Sequence, residues 1–294
     1  MRTVRRFLLG ELESAVARLE RGDLSDPALH ELRRELKRVR AALRLLRPCM
    51  GADAYRRENA LVRDAARPFT PVRDAAVLPQ TLRRVQTRKD GKNGRAFASY
   101  LKGVLQQEQR AARRQLKPSV LRAAVRVLRA FKRRIEALPA SRLDRAAPSS
   151  GLKRTYKSGR NALASVTLQS TDEHLHEWRK QVTYLANELE CIAPPDSKGF
   201  SARLERFRRL ARRLGDDHDL AVLNRKILEN ILEVAKLPNA TAAETARQDG
   251  AQEFASHVAR RRESLQSKAF RLGQRLYARR PRRMAATWSP ILPI

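Results

Sequence analysis

The sequence predicts an all-α protein, and three observations carry that expectation. Ala, Leu, Arg and Glu dominate, with only 12 Gly and 14 Pro in 294 residues, and β-branched and aromatic side chains are few. Apolar residues recur at helical spacing along most of the chain. A segment of the first half also returns in the second in the same register. With 42% hydrophobic residues the chain can bury a substantial core, which separates it from basic disordered tails. Against this, 63 Lys and Arg face 31 Asp and Glu, a net charge of +32. Self-repulsion of that size excludes the surface of an ordinary neutral enzyme and calls for an anionic partner.

Taken in order, the N-terminal Phe7-Leu8-Leu9-Gly10 is too short for a secretory segment, and Glu11, Glu13 and Glu20 follow at once. No export signal is expected, and no run approaches the roughly 18 apolar residues that cross a bilayer. His30-Glu31-Leu32-Arg33-Arg34, with Pro48 eighteen residues after the histidine, recurs as His176-Glu177-Trp178-Arg179-Lys180 with Pro194. The offset is 146. On a helix, Leu32, Leu36, Val39, Leu43 and Leu46 form an apolar stripe, matched by Trp178, Val182, Leu185, Leu189 and Ile192. Both stripes are predicted core. His30, Arg33, Lys37, Arg40 and Arg44 form a second stripe about 120° around the same cylinder. The second copy does not keep it: Lys37, Arg40 and Arg44 become Thr183, Ala186 and Glu190.

Arg73-Asp74-Ala75-Ala76-Val77-Leu78 matches His218-Asp219-Leu220-Ala221-Val222-Leu223 at an offset of 145. Further cationic rows follow on predicted helices: Arg110, Arg113, Arg114 and Lys117; Arg122, Arg126, Arg129 and Arg133; Arg203, Arg206, Arg209 and Arg213; Lys268, Arg271 and Arg275. Pro139, Pro148, Ser149, Ser150 and Gly151 read as a loop joining the halves. Asp216, Asp217 and Asp219 read as acids at a helix start. Cys49 and Cys191 lack C-x-x-C spacing and read as packing residues in a reducing cytoplasm. Rows of one sign on several helices, where an ordinary surface mixes signs, point to a surface or channel that holds a polyanion.

The twin H-x-x-R-[RK] helices, the run Leu214-Gly215-Asp216-Asp217-His218-Asp219-Leu220, and the stretch Leu152-Lys153-Arg154-Thr155-Tyr156 to Gly159-Arg160 resemble the conserved histidine α-helical domain, written CHAD. The resemblance covers a single domain at 4–283: a first half at about 1–140, a linker at about 139–151, a second half at about 152–283, and a C-terminal tail at 284–294. It implies two antiparallel helical bundles related by a pseudo-two-fold repeat, with a basic cleft or pore between them. It also implies binding of long-chain inorganic polyphosphate; with no catalytic motif in the chain, the expected role is a non-catalytic adaptor or granule-associated module in the cytoplasm.

From the basic rows and the resemblance together, the candidate polyphosphate-binding residues are His30, Arg33, Arg34, Lys37, Arg40, Arg44, Arg126, Arg129, Arg133, Tyr156, Arg160, His176, Arg179, Lys180, Arg206, Arg209, Arg213 and His218. Arginine meets phosphoryl oxygens bidentately and lysine as a point charge. Histidine adds a donor whose pKa phosphates push upward. No catalytic residue, cofactor or metal is expected. Nucleic acid is the competing partner, through backbone contacts alone: aromatics are 5% of the chain, and Trp178 holds a core position. A hydrolase ranks last. Tunnel triphosphatases, frequent neighbours of this domain in longer chains, resemble E-x-E-x-K at their start, whereas Glu11-Leu12-Glu13-Ser14-Ala15 ends in Ala, so both acids read as solvated.

Overall fold

In a computed structural model, the residues described are 4–86, 91–139, 148–166, 171–193, 198–235 and 241–288. Among them every regular element is helical: α1 (Val4–Glu20), α2 (Asp26–Met50), α3 (Ala52–Ala66), a 3-10 turn (Arg67–Phe69), α4 (Thr70–Val85), α5 (Lys92–Arg114) and α6 (Pro118–Ala137) in the first half. The second half holds α7 (Pro148–Ser165), α8 (Asp172–Cys191), α9 (Lys198–Ala235), α10 (Ala242–Leu276) and α11 (Pro281–Trp288). The all-α class is as the composition predicts. No helix among the described residues is long and apolar enough to cross a membrane.

The chain divides into two compact units. One comprises Met1–Thr70, Leu116–Ala211 and Leu272–Ile294, the other Pro71–Gln115 and Arg212–Arg271. Neither unit is one half of the repeat; each takes helices from both halves. In the first unit the reason lies in the duplicated stripes. Leu32, Leu36, Val39, Leu43 and Leu46 are at most 1% exposed, and Trp178, Val182, Leu185 and Leu189 are fully buried. These faces meet, because α2 packs on α8 as well as on α1, α3 and α7. A fully buried Leu or Val side chain contributes about 1.5–3 kcal/mol, so joining the two stripes outweighs any pairing that leaves one of them wet. In the second unit Leu78, Leu82, Phe97, Leu101, Leu220, Leu223, Ile227, Phe254 and Val258 from α4, α5, α9 and α10 form the core. The repeated Ala76 and Leu78, Ala221 and Leu223 are buried alike.

Local chemistry sets the element ends that matter for the site. Ser25 caps α2, its Oγ accepting from the Ala28 amide at 3.4 Å, with Pro27 in the first turn. Gly51 ends α2 at φ +85°, its N–H donating to the Arg47 carbonyl at 3.1 Å, and α3 begins at the next residue. Only glycine adopts that conformation without strain. One residue thus folds α3 back along α2.

Three sequence expectations need correction. Pro148, Ser149, Ser150 and Gly151 are the first turn of α7, not a loop; proline suits a helix start because its missing N–H would have no partner there. The tail expected from 284 instead completes α11, which packs on α7 and buries Met284 and Trp288. Asp216, Asp217 and Asp219 lie inside α9, not at a helix start. Pro194 and the middle of the linker, 140–147, fall outside the described residues.

Candidate anion-binding site

The cationic row of α2 does not face bulk solvent along its whole length. Arg33, Lys37 and Arg40 line one wall of a cleft of about 490 Å³ in the first unit, and Arg63, Asp64, Arg67 and Thr70 line the other. Arg33 Nη1 donates to Thr70 Oγ1 at 2.6 Å, and Arg40 Nε donates to Asn59 Oδ1 at 3.0 Å. The bond from Nε leaves the two Nη groups of Arg40 for a bidentate acceptor. The only carboxylate in the lining, Asp64, is engaged: Arg63 Nε meets its Oδ1 at 2.9 Å, and this bond holds the Asp64 carboxyl below its ordinary range. Burial lowers the Arg40 pKa, and the like charges of Arg44 and Arg63 lower it further. The guanidinium stays charged at any ordinary pH; the shift reflects burial first and, after it, crowding of positive charge that an anion would relieve.

The remaining candidates divide by position. His30 is exposed on α2. Arg44 lies over the Tyr184 ring, 3.4 Å from its centroid, a cation–π contact with α8. Arg34 leaves the row and pairs with Glu31 at 2.9 Å. On α8, Lys180 pairs with Glu177, Arg179 Nη2 lies 3.4 Å from His176 Nδ1, and Glu190 pairs with Arg208 at 3.0 Å. The His176 pKa is lowered by partial burial and then by Arg179 and Lys180. Arg126, Arg129 and Arg133 line a different groove on α6. Arg160, Arg206 and Arg209 are exposed in the first unit, where Arg203, lowered by burial and by Arg279 and Arg206, joins them. Arg213 and His218 belong to the second unit; Arg213 Nη1 donates to the Lys268 carbonyl at 3.0 Å, and His218 is half-buried.

Tyr156 is a correction. Its side chain is fully buried, packs on Tyr277 and Trp288, and donates to the Leu276 and Arg279 carbonyls at 3.1 and 3.0 Å. It terminates α10 and cannot reach a phosphate from there. Glu11 is another: it is half-buried and bonded to Arg38 at 2.8 Å, while Glu13 stays mostly exposed beside Lys132 at 2.8 Å. The α9 acids are likewise engaged, Asp216 with Arg84 at 3.0 Å, Asp217 with Arg262 at 3.1 Å, and Asp219 with Arg73 at 3.9 Å. Among the described residues no three His, Cys, Asp or Glu gather as metal ligands. The Cys191 thiol is buried and pushed well up by burial.

Sequence reasoning missed Arg63 and Arg67. Their i, i+4 spacing was visible, but nothing local shows that α3 returns alongside α2.

The family model of the CHAD domain matches residues 6–229. A crystal structure of the CHAD domain from the plant Ricinus communis superposes with a TM-score of 0.68 at 19% identity, covering 95% of this chain and 93% of that one. That likeness is one of fold. No curated protein sequence matches the chain significantly.

Proposed function

The chain belongs to the CHAD domain family, and from that premise we propose that it is a non-catalytic module that binds inorganic polyphosphate, in the cytoplasm and in association with polyphosphate granules. One observation carries the reading: the α2–α3 cleft gathers Arg33, Lys37, Arg40, Arg63 and Arg67 around a single carboxylate that Arg63 already occupies. A linear phosphate chain offers many anionic oxygens and no base or sugar, which suits a cleft of guanidinium groups without aromatic platforms. The absence of turnover is supported by the acids themselves. Glu11, Asp216, Asp217 and Asp219 each face an arginine, and the acid that lines the cleft, Asp64, is held by Arg63.

The test is binding to long-chain polyphosphate, duplex DNA and single-stranded RNA at matched phosphate concentration and salt. Polyphosphate should bind tightest, with log affinity falling linearly in log salt, because each phosphate contact releases counterions. Equal or tighter binding to either nucleic acid overturns the preference.

A further inference from the structure

A second basic groove lies in the same unit, on different helices. Arg122, Arg126, Arg129 and Arg133 stand at i, i+4, i+7 and i+11 on α6, opposite Leu19 and Glu20 at the end of α1 and Gly22 in the turn after it, around about 550 Å³. At 1.5 Å per residue the row runs about 16 Å along the helix axis. Its one acid, Glu20, is taken by Arg129. Among the described residues Arg122, Arg126 and Arg133 have no carboxylate partner, and all four arginines are exposed. The neighbouring Lys132 is held elsewhere, by Glu13 at 2.8 Å and Glu136 at 3.4 Å. The groove shares no lining residue with the α2–α3 cleft.

We infer that this α1–α6 groove is a second, separately saturable track for a linear phosphate chain, so that one molecule holds two chains and cross-links them. The inference rests on the polyphosphate reading of the cleft. Three features favour a phosphate chain over an acidic partner helix. The cations are all arginine, suited to bidentate phosphate contacts along a line. The floor offers little for a partner's apolar face, since Leu19 is 5% and Leu121 9% exposed, leaving only half-exposed Val125 and exposed Pro118 at the start of α6. A docked helix needs such area for its affinity, whereas a bare phosphate chain has no apolar surface to bury. Two tracks also convert binding into bridging. A second chain held by the same molecule is confined near the first, and each further molecule adds a link.

The experiment is a calorimetric titration with tripolyphosphate at physiological salt, paired with light scattering on long-chain polyphosphate. The proteins are the full chain, an α6 variant (Arg122→Gln, Arg126→Gln, Arg133→Gln) and a cleft variant (Arg40→Gln, Arg63→Gln, Arg67→Gln), each with a thermal melt to show that it folds. The full chain should take two tripolyphosphates and each variant one. Long chains should scatter strongly with the full chain near charge equivalence and little with either variant, though both still bind. One tripolyphosphate on the full chain, unchanged in the α6 variant, overturns the inference while leaving the cleft reading intact. If only the α6 variant loses a site, the groove stands and the cleft reading falls. Displacement of tripolyphosphate from the cleft variant by polyglutamate at equal anionic charge would make the groove a protein-binding surface and also overturn the inference.

Discussion

In α2 the side of the helix beside the core stripe ends in Arg33, Lys37 and Arg40 around an open cleft, whereas in α8 the matching side is engaged in bonds within the helix and to α9. Lys180 is spent on Glu177, Thr183 Oγ1 donates to the Arg179 carbonyl at 2.8 Å, and Glu190 holds Arg208. Ala186, the partner of Arg40 in the repeat, is 5% exposed. An arginine there would have to take its charge out of water, which costs several kcal/mol unless it is well paired. The five core positions stay apolar in both copies, because both stripes must be covered, while the polar faces answer to different neighbours. The matched stripes therefore share their burial, while the full cationic row is present on α2 and absent from α8.

The core itself departs from this equivalence at Glu188, and that departure sets the largest expected effect. Where α2 has Ala42, α8 has Glu188, and both are fully buried. Thr155 Oγ1 donates to Glu188 Oε1 at 2.9 Å, and burial pushes the carboxyl up to about 8, with Arg44 pulling the other way. A carboxyl whose folded pKa is raised keeps a proton that the unfolded chain has lost. Its contribution is fully present below pH 4.5, the ordinary value, and is lost as pH rises through about 8. Stability should then fall across that window by roughly 1 kcal/mol per pH unit, and level off above it. Glu188→Gln, which keeps an acceptor for Thr155, should remove this part of the slope. Urea denaturation of both proteins at stepped pH measures it; identical slopes would mean that Arg44 keeps the folded carboxylate ionised.

An intermediate effect sharpens the contrast between the polar faces. Replacing Arg33, Lys37 and Arg40 by Gln should weaken polyphosphate binding by about 2–4 kcal/mol, roughly 30- to 700-fold, since charged hydrogen bonds contribute about 1.5–3 kcal/mol each and neighbours in one row are not additive. The melt should hold or rise as repulsion is relieved. Arg179→Gln with Lys180→Gln should cost less than about tenfold, because that lysine is already paired. Binding isotherms for both variants decide; equal losses would place α8 in the site on the same footing as α2.

These regions also show where sequence reading stops. The stripes of α2 and α8 were legible because one period of 3.6 residues fixes which side chains face inward, whatever the tertiary fold. The cleft was half legible. Arg33, Lys37 and Arg40 are local to one helix, but Arg63 and Arg67 join them only through the Gly51 turn, and a single glycine does not announce the direction of the next helix. Tyr156 misled because it sits among Lys153, Arg154, Lys157 and Arg160, the company of a phosphate ligand. Its burial is set by residues far along the chain: a Cβ on Gly159 would lie 2.4 Å from the Tyr277 hydroxyl, so only glycine allows α7 this close to Tyr277 beside Tyr156. The α9 acids misled for a related reason, since Arg73, Arg84 and Arg262 come from other helices.

The smallest effect tests whether α8 contributes to binding at all. In the unliganded protein the His176 pKa lies below its ordinary 6.5, through partial burial and the charges of Arg179 and Lys180. The unfolded chain therefore binds this proton more readily than the folded one. Stability at this site is unaffected above pH 6.5 and declines slightly as pH falls below it. A phosphate chain laid along α8 would reverse the balance, because anionic oxygens near the ring favour the imidazolium. The His176 pKa should then rise on saturation with polyphosphate, and affinity should strengthen modestly between pH 7 and pH 6, a gain that His176→Gln removes. If the chain is held by α2, α3 and α6 alone, the ring's NMR titration midpoint stays where it was without ligand, and the pH dependence of affinity is the same in both proteins. Because Lys180 is spent on Glu177 and Arg179 faces the His176 ring itself, we expect the second outcome, a midpoint that does not move. A clear upward shift would show that the second copy kept part of the charge face despite losing the residues matched to Lys37, Arg40 and Arg44.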